Sequence, residues 1–294
     1  MNLGRAKLIL IIAFTGLNLF LGYHLFWPDF GRLTKAAISA EDIRLAEETL
    51  NENNFFLGVS LDRSIRTSNF LAVSPARDIQ QKLAGSLIEK GARAEGAENI
   101  TYFHLEGETA ALHAGGLTQL FFDPGILLTE SVTNFEDRDL IDAIEIYLAE
   151  NDLMPEGICF DYLEETEDGR ILIHYYQEYD GLPIFAGQLK VVIEDGYILA
   201  IEIYWLKPVE RVPVREIKVI SAAEALINLV NELGASVEPR TIKKIDLGYF
   251  STEYDAEKWE IPPVWRVVLD DMQYYYVNAF TGNIEQDTIV PEQL

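Results

Sequence analysis

The sequence has 294 residues, of which 48 are Asp or Glu and 23 are Lys or Arg, so its formal net charge is −25. Proteins that bind nucleic acid or lie on anionic lipid need a basic face, and this charge argues against both functions. The hydrophobic content of 49% argues against a disordered chain and is sufficient for the cores of one large or two ordinary domains.

The N-terminus is predicted to anchor the protein in a membrane. Residues 1–7 form a short basic stub, and residues 8–27 contain no formally charged side chain. Twenty helical residues span about 30 Å, which matches the apolar core of a bilayer, so residues 8–27 are predicted to be a transmembrane helix. A cleaved signal peptide is the alternative, but this apolar run is longer and ends in bulky aromatic residues. Arg5 and Lys7 before the span and Asp29 after it predict a cytoplasmic N-terminus and an extracellular position for the rest of the chain.

One face of this predicted helix carries small and hydrogen-bonding side chains. At about 100° per residue, four positions share a stripe about 60° wide, namely Ile11, Thr15, Asn18 and Gly22. In lipid, glycine allows close approach of two helices and asparagine can bond between them. The stripe is therefore predicted to bind the transmembrane helix of a partner, although an Asn that bonds to its own helix is the simpler interpretation.

Residues 28–128 are predicted to be an N-terminal extracytoplasmic α+β domain. Ser39 is a suitable N-cap for an amphipathic helix over residues 38–54, and a second helix is predicted from Pro75 to Gly91. Asp123-Pro124-Gly125 is predicted to be a turn. Runs of apolar and β-branched residues predict strands, at 55–61, 69–74, 100–107, 108–115 and 117–123.

Residues 129–294 are predicted to be a C-terminal extracytoplasmic α+β domain with subunits at about 129–208 and 209–294. Asp180-Gly181 and Asp195-Gly196 separate three β-rich runs, which predicts an antiparallel meander. Each subunit is predicted to begin with a helix, over residues 134–152 and 220–233, and the second helix is capped by Ser221. A strand near 245–250 and a final hairpin over 264–285 complete the second subunit. The predicted fold class is α+β, with antiparallel sheets packed against helices.

No catalytic residue, cofactor or metal site is predicted. None of the usual hydrolase, metalloprotease or nucleotide-binding motifs occurs, and His104, His113 and His174 have no metal-ligand spacing. Cys159 is interpreted as a small buried hydrophobe, and as the only cysteine it excludes an intrachain disulfide. The acidic run at 164–168 is interpreted as a solvated loop.

The aromatic cluster Tyr274-Tyr275-Tyr276, with Trp265 nearby, allows two interpretations. One is a platform for a carbohydrate or a peptide. Because alternate residues of a strand point to opposite faces, Tyr275 is expected to face away from its two neighbours. This alternation favours the second interpretation, in which one face belongs to the core and the other presents a surface pair.

The chain resembles the YycI family over essentially its whole length. The most distinctive stretches are the span KLILIIAFTGLNLFLGY and the hairpins GLPIFAGQLKVVIEDGYI, and PVWRVVLDDMQYYYVNAFTGNI adds a weaker likeness to the PepSY module. The resemblance implies a membrane-anchored accessory protein that is not an enzyme. It also implies two partners, a WalK-like sensor histidine kinase and a YycH-like protein, and an effect on two-component signalling that governs cell-wall metabolism.

Two functions of other classes remain open. A PepSY-like inhibitor or chaperone of an exported peptidase would act through the exterior part alone. A wall hydrolase would need a site assembled from acidic residues that are distant in sequence, because carboxylates pair in space and not along the chain.

Overall fold

A computed structural model of the protein describes residues 14, 38–64, 66–128, 137–211, 217–251 and 256–285. The helices among them are α1 Ala40–Glu52, α2 Asp78–Glu89, α3 Asp137–Glu150 and α4 Ala222–Leu233. The strands are β1 Phe55–Leu57, β2 Thr67–Ser68, β3 Leu71–Pro75, β4 Arg93–Ala97, β5 Ile100–Leu105, β6 Glu108–His113, β7 Thr118–Leu127, β8 Ile158–Glu165, β9 Ile171–Tyr179, β10 Leu182–Glu194, β11 Tyr197–Tyr204, β12 Leu206–Arg211, β13 Ile217–Lys218, β14 Arg240–Tyr249, β15 Trp259–Ile261, β16 Pro263–Leu269, β17 Tyr274–Asn278 and β18 Ile284–Glu285.

Thirteen of these strands form one sheet, with the order β18–β17–β16–β14–β10–β11–β7–β6–β5–β4. β9 pairs with β10 and β8 with β9, while β1 adds to β14 in parallel. The strands β4 to β11 form a first sheet unit, which is antiparallel throughout. The strands β1, β14, β16, β17 and β18 form a second sheet unit. A single parallel pair, Ile184 with Tyr249, joins the two units within the sheet.

Each sheet unit is covered by helices on one face. The core of the first unit contains buried residues of α2 and α3, including Leu87 and Ile144, against Leu189 of β10. The core of the second unit contains Leu50 of α1 and Leu226 of α4. Full burial of one such side chain contributes about 1.5–3 kcal/mol, so these faces account for much of the stability. This arrangement confirms the predicted α+β class with helices on antiparallel sheets.

A third core lies where the two units meet. It is formed partly by a small three-stranded sheet, in the order β12–β3–β15. Its buried residues come from distant parts of the chain and include Leu71, Phe185, Leu206, Tyr249 and Tyr276.

The predicted helix caps are confirmed. The hydroxyl oxygen of Ser39 accepts from the Asp42 N–H at 3.1 Å, and the Ser39 N–H donates to the Asp42 carboxylate at 3.2 Å. Ser221 accepts from the Glu224 N–H at 3.0 Å. These hydroxyls satisfy N–H groups that the first turn of a helix leaves without partners.

The two Asp-Gly hairpins are also confirmed. Asp180 and Gly181 have φ values of 52° and 75°, and Asp195 and Gly196 have values of 50° and 82°. Positive φ at both central residues gives the turn that matches the twist of paired strands.

Three predictions from local sequence are wrong. Asp123-Pro124-Gly125 does not end the strand, because β7 runs from Thr118 to Leu127; the three residues lie at a bulge, between the pairs Phe121–Ala200 and Ile126–Ile198. The helix α2 begins at Asp78 and not at Pro75, since Pro75 ends β3 and the next N–H, of Ala76, donates to the Trp205 carbonyl. In the acidic run, Glu164 and the residue after it belong to β8 and pair with β9.

Six of the described strands were not predicted, namely β2, β4, β8, β12, β13 and β15, and β14 begins earlier than expected. β4 is exposed along its whole length, and β8 has no fully buried residue, so neither has an apolar pattern. β14 begins at Arg240 instead of 245, where pairing with β1 starts. In these three strands, β4, β8 and β14, pairing with a neighbouring strand and not the local apolar pattern determines the structure.

Candidate functional site

The predicted partner-binding stripe of Ile11, Thr15, Asn18 and Gly22 lies outside the described residues, as does the predicted span 8–27 except for Phe14. Within the described ranges, no helix is both long enough and apolar enough to cross a bilayer. The division into domains at residue 128 and the extracellular position of the chain stay predictions.

The histidines and the cysteine form no reactive cluster in the described part of the chain. His104 faces Thr109 and His113 faces Gln119, each at hydrogen-bond distance. No group of three His, Cys, Asp or Glu side chains that could hold a metal occurs among the described residues. Cys159 is half-buried and not fully buried as predicted, because it lies on β8 at the edge of the sheet. Burial, followed by the charge of Glu178, raises the pKa of its thiol, which disfavours the nucleophilic thiolate.

The structure separates the three tyrosines of β17 as the alternation predicted. Tyr275 packs against the second core, while Tyr274 and Tyr276 contribute to the third core. The predicted surface pair is wrong, since Tyr276 is only 3% exposed and Tyr274 is half-buried. Both faces of β17 therefore contact a core.

A buried ion pair lies beside these tyrosines. The guanidinium of Arg266 on β16 donates to both carboxylate oxygens of Asp161 on β8, at 2.5 and 2.8 Å. The side chains of Arg266 and Asp161 are 4% and 11% exposed. Two parallel bonds of this kind fix the relative orientation of the two groups as well as attracting them. The pair therefore ties the edge strand of the first sheet unit to the second unit.

Two further charges surround this pair. The carboxylate of Asp246 lies 3.4 Å from Arg266 and 3.1 Å from Lys244. Burial alone would lower the pKa of the Arg266 guanidinium, but the bonds to Asp161 and the charges of both carboxylates raise it above its ordinary value. Arg266 is therefore always charged, and two acids and two bases balance within this group.

Aromatic rings enclose the guanidinium. The carbon Cζ of Arg266 lies 4.2 Å from the ring centre of Phe185 and 5.8 Å from that of Tyr176, which are cation–π distances. Tyr162 stacks on His174 with ring centres 4.3 Å apart. Burial raises the pKa of Tyr274 to about 12 and, even more, that of Tyr276, so these phenols are neutral. We call this assembly the junction cluster, and its members are Asp161, Tyr162, His174, Tyr176, Phe185, Lys244, Asp246, Arg266, Tyr274 and Tyr276.

The junction cluster has little room for a substrate. Its cavity has a volume of about 20 Å³, which is close to the minimum for one water molecule. Nε of Arg266 is buried without a hydrogen-bond partner in the described structure, while Nε2 of His174 lies 3.7 Å from the carboxylate of Glu164. The chemistry available here is the attachment of one sheet unit to the other, and not the conversion of a bound molecule.

One feature of the sequence points to this cluster, although it belongs to no known motif. Arg266 interrupts the apolar strand PVWRVVL, and a charge in a core strand needs a partner. The partner itself could not be identified from sequence, because Asp161 is 105 residues away and lies on a strand without an apolar pattern.

The fold and the junction cluster define a class of α+β protein in which a buried ion pair joins two helix-covered sheet units. The match to the family described as YycI protein covers residues 34–280, and the chain belongs to the YycI family.

Of two other comparisons, one adds information on the fold. No curated protein matches the chain. Among solved structures, the chain is similar to that of an uncharacterized protein from Eubacterium rectale, with a TM-score of 0.53 and 12% sequence identity. The likeness covers 83% of this chain and 98% of the other chain. At this identity it shows a shared fold.

Proposed function

We propose that the protein is a membrane-anchored accessory regulator that binds a WalK-like sensor histidine kinase and a YycH-like partner. In this function it modulates the two-component signalling that governs cell-wall metabolism. The observation that carries the proposal is the YycI family match over residues 34–280, because this family is a regulatory one. Residues 8–27 would hold the protein in the membrane, with the N-terminus in the cytoplasm and the remaining chain outside the cell.

The folded part supports a binding function. The best-defined polar cluster, around Arg266 and Asp161, is closed to ligands and holds two structural units together. A regulator benefits from such an attachment, since a surface that recognises another protein has to keep its shape before binding.

The predicted stripe supplies a mechanism within the membrane. A partner helix that approaches Gly22 closely can accept or donate a hydrogen bond at Asn18. Such a bond is worth about 0.6–2 kcal/mol, so the stripe would select the partner and the exterior part would add the remaining affinity.

The test is co-purification of the kinase from native membranes with the Asn18→Leu, Gly22→Ile double variant. We expect at least a threefold loss of bound kinase and a change in transcription from a promoter that the kinase controls. Leu17→Ile, on the opposite side of the predicted helix, is the matched control and should retain both. Wild-type levels of kinase association and of kinase output in the double variant would refute the stripe as the binding surface.

A separate experiment tests the function as a whole. Affinity purification of the full chain from native membranes should recover a sensor kinase and a YycH-like protein. Recovery of an exported peptidase, with neither of these partners, would contradict the proposal and favour a PepSY-like inhibitor.

A further inference from the structure

A polar depression lies between the C-terminal half of α4 and the hairpin of β17 and β18. Its volume is about 570 Å³, which lies within the range of about 300–1,000 Å³ for small-molecule sites. The described residues that line it include no Lys, Arg or His, and they are Asn228, Asn231, Glu232, Leu233, Tyr275, Thr281, Gly282, Asn283, Ile284 and Glu285. We call it the α4–β18 depression.

Three side-chain amides face this space from opposite sides. Asn228 and Asn231 lie on successive turns of α4, and Asn283 lies on the facing hairpin. Asn231 and Asn283 are exposed, so their amide groups are accessible to a ligand. Asn228 is half-buried. A Cβ atom at position 282 would lie only 2.4 Å from its Nδ2, so the absence of a side chain at Gly282 leaves space for this amide. An amide offers two donors and an acceptor, so these groups leave several hydrogen bonds to be made by a ligand.

The ring of Tyr275 forms the apolar part of the same surface. It is half-buried, and its hydroxyl donates to the side-chain oxygen of Gln273 at 3.1 Å, which fixes the ring. A fixed aromatic ring can pack against the C–H face of a sugar, while hydroxyl groups, which both donate and accept, match amides. One ring of the Tyr274-Tyr275-Tyr276 cluster therefore lines the α4–β18 depression.

The charges exclude an anionic ligand. Glu232 and Glu285 contribute negative charge, and a phosphate or carboxylate would need the cationic donors that the described lining lacks. Glu285 is already engaged, since its Oε1 accepts from Asn278 at 2.6 Å. A neutral ligand rich in hydroxyl groups fits this combination of acids, amides and an aromatic ring.

We propose that the α4–β18 depression binds a neutral saccharide. This binding concerns the folded part of the chain and does not depend on the kinase or on the transmembrane stripe. Failure of one proposal therefore leaves the other intact.

The test is isothermal titration calorimetry, in which the purified full-length chain is titrated with triacetylchitotriose and, separately, with maltotriose. Saturable binding of at least one trisaccharide is expected. Asn228→Ala and Asn283→Ala should each weaken its Kd by about fivefold, because each removes hydrogen bonds to the ligand. Asn51→Ala, an exposed asparagine on α1, is the matched control and should leave Kd unchanged.

Two variants of Tyr275 test the contribution of the ring. Tyr275→Phe keeps the ring and should retain binding, whereas Tyr275→Leu should abolish it. If Tyr275→Leu fails to fold in a thermal melt, the two Asn variants decide the question. Absence of saturable binding of both trisaccharides, or an unchanged Kd in Asn228→Ala and Asn283→Ala, would overturn the proposal.

Discussion

Replacement of Arg266 by methionine tests the central role of the buried ion pair. The change preserves much of the side-chain length but leaves the carboxylates of Asp161 and Asp246 without their buried cation. Loss of one partner of a buried pair costs about 3–5 kcal/mol, because the remaining charge is left uncompensated. Lys244 remains 3.8 Å from Asp161 as a partly exposed counter-ion, so the lower end of this range is expected. Since a domain is stable by only about 5–15 kcal/mol in total, this loss removes a large part of the stability.

A surface ion pair of nearly the same length serves as the control. Arg66 and Asp62 are 2.6 Å apart, against 2.5 Å for Arg266 and Asp161, but their side chains are 43% and 40% exposed. Exposed pairs contribute about 0–1 kcal/mol, so Arg66→Met is expected to cost little. The two variants therefore differ chiefly in the burial of the pair that they break.

The assay is urea unfolding of the purified full-length chain, with the unfolded fraction measured by circular dichroism. The double variant Asp161→Leu, Arg266→Met removes both charges and is expected to recover part of the loss, because well-packed apolar side chains can replace a buried pair. Equal free energies of unfolding for Arg266→Met and Arg66→Met would refute the reasoning from burial. A double variant less stable than the sum of the two single changes would also contradict it.

Three further predictions concern single positions. The His174 imidazole lowers the pKa of Glu164, so the stabilisation by Glu164 is present above its ordinary pKa of about 4.5 and is lost as pH falls through the lowered folded-state pKa. Glu164→Gln should therefore reduce the free energy of unfolding at pH 7. Urea titrations of the variant and the wild type should give the same value at low pH, and a difference that stays constant with pH would contradict the assignment. Gly248→Ala should destabilise the protein by about 1–3 kcal/mol, because the new Cβ would lie 2.5 Å from the ring of Phe185, whereas Gly85→Ala, in open space within α2, should not, and thermal melts distinguish the two. Ser221→Ala should cost about 1 kcal/mol by loss of the cap on α4, with Ser221→Thr retaining most of it in the same melts.

The sequence could predict the elements that short-range interactions determine. The caps of α1 and α4 depend on Ser39 and Ser221 and on residues three positions later, which are visible in any window of the sequence. The Asp-Gly turns similarly depend on two adjacent residues that tolerate positive φ. The helix-covered antiparallel architecture follows from these elements and from the apolar runs between them.

Features determined by distant residues were not predictable in this way. β4 exists because β5 pairs with it, although every residue of β4 is exposed. Asp123-Pro124-Gly125 has the composition of a turn, yet it lies within β7 as a bulge, because the residues on both sides of it pair with β11. The only sign of the junction cluster in the sequence is the charge of Arg266 in an apolar strand. Its partner Asp161 could not be identified, because the two residues meet only in the folded chain.

The separation of Asp161 and Arg266 by 105 residues also affects the order in which the molecule is completed. Protein synthesis adds about 5–20 residues per second, so Asp161 leaves the ribosome about 5–20 s before Arg266 does. During this interval the rings of Tyr162 and Tyr176 lack the covering that β16 and β17 later supply. The acidic and aromatic side chains of β8 and β9 are therefore covered only when the last hairpin of the chain has been added.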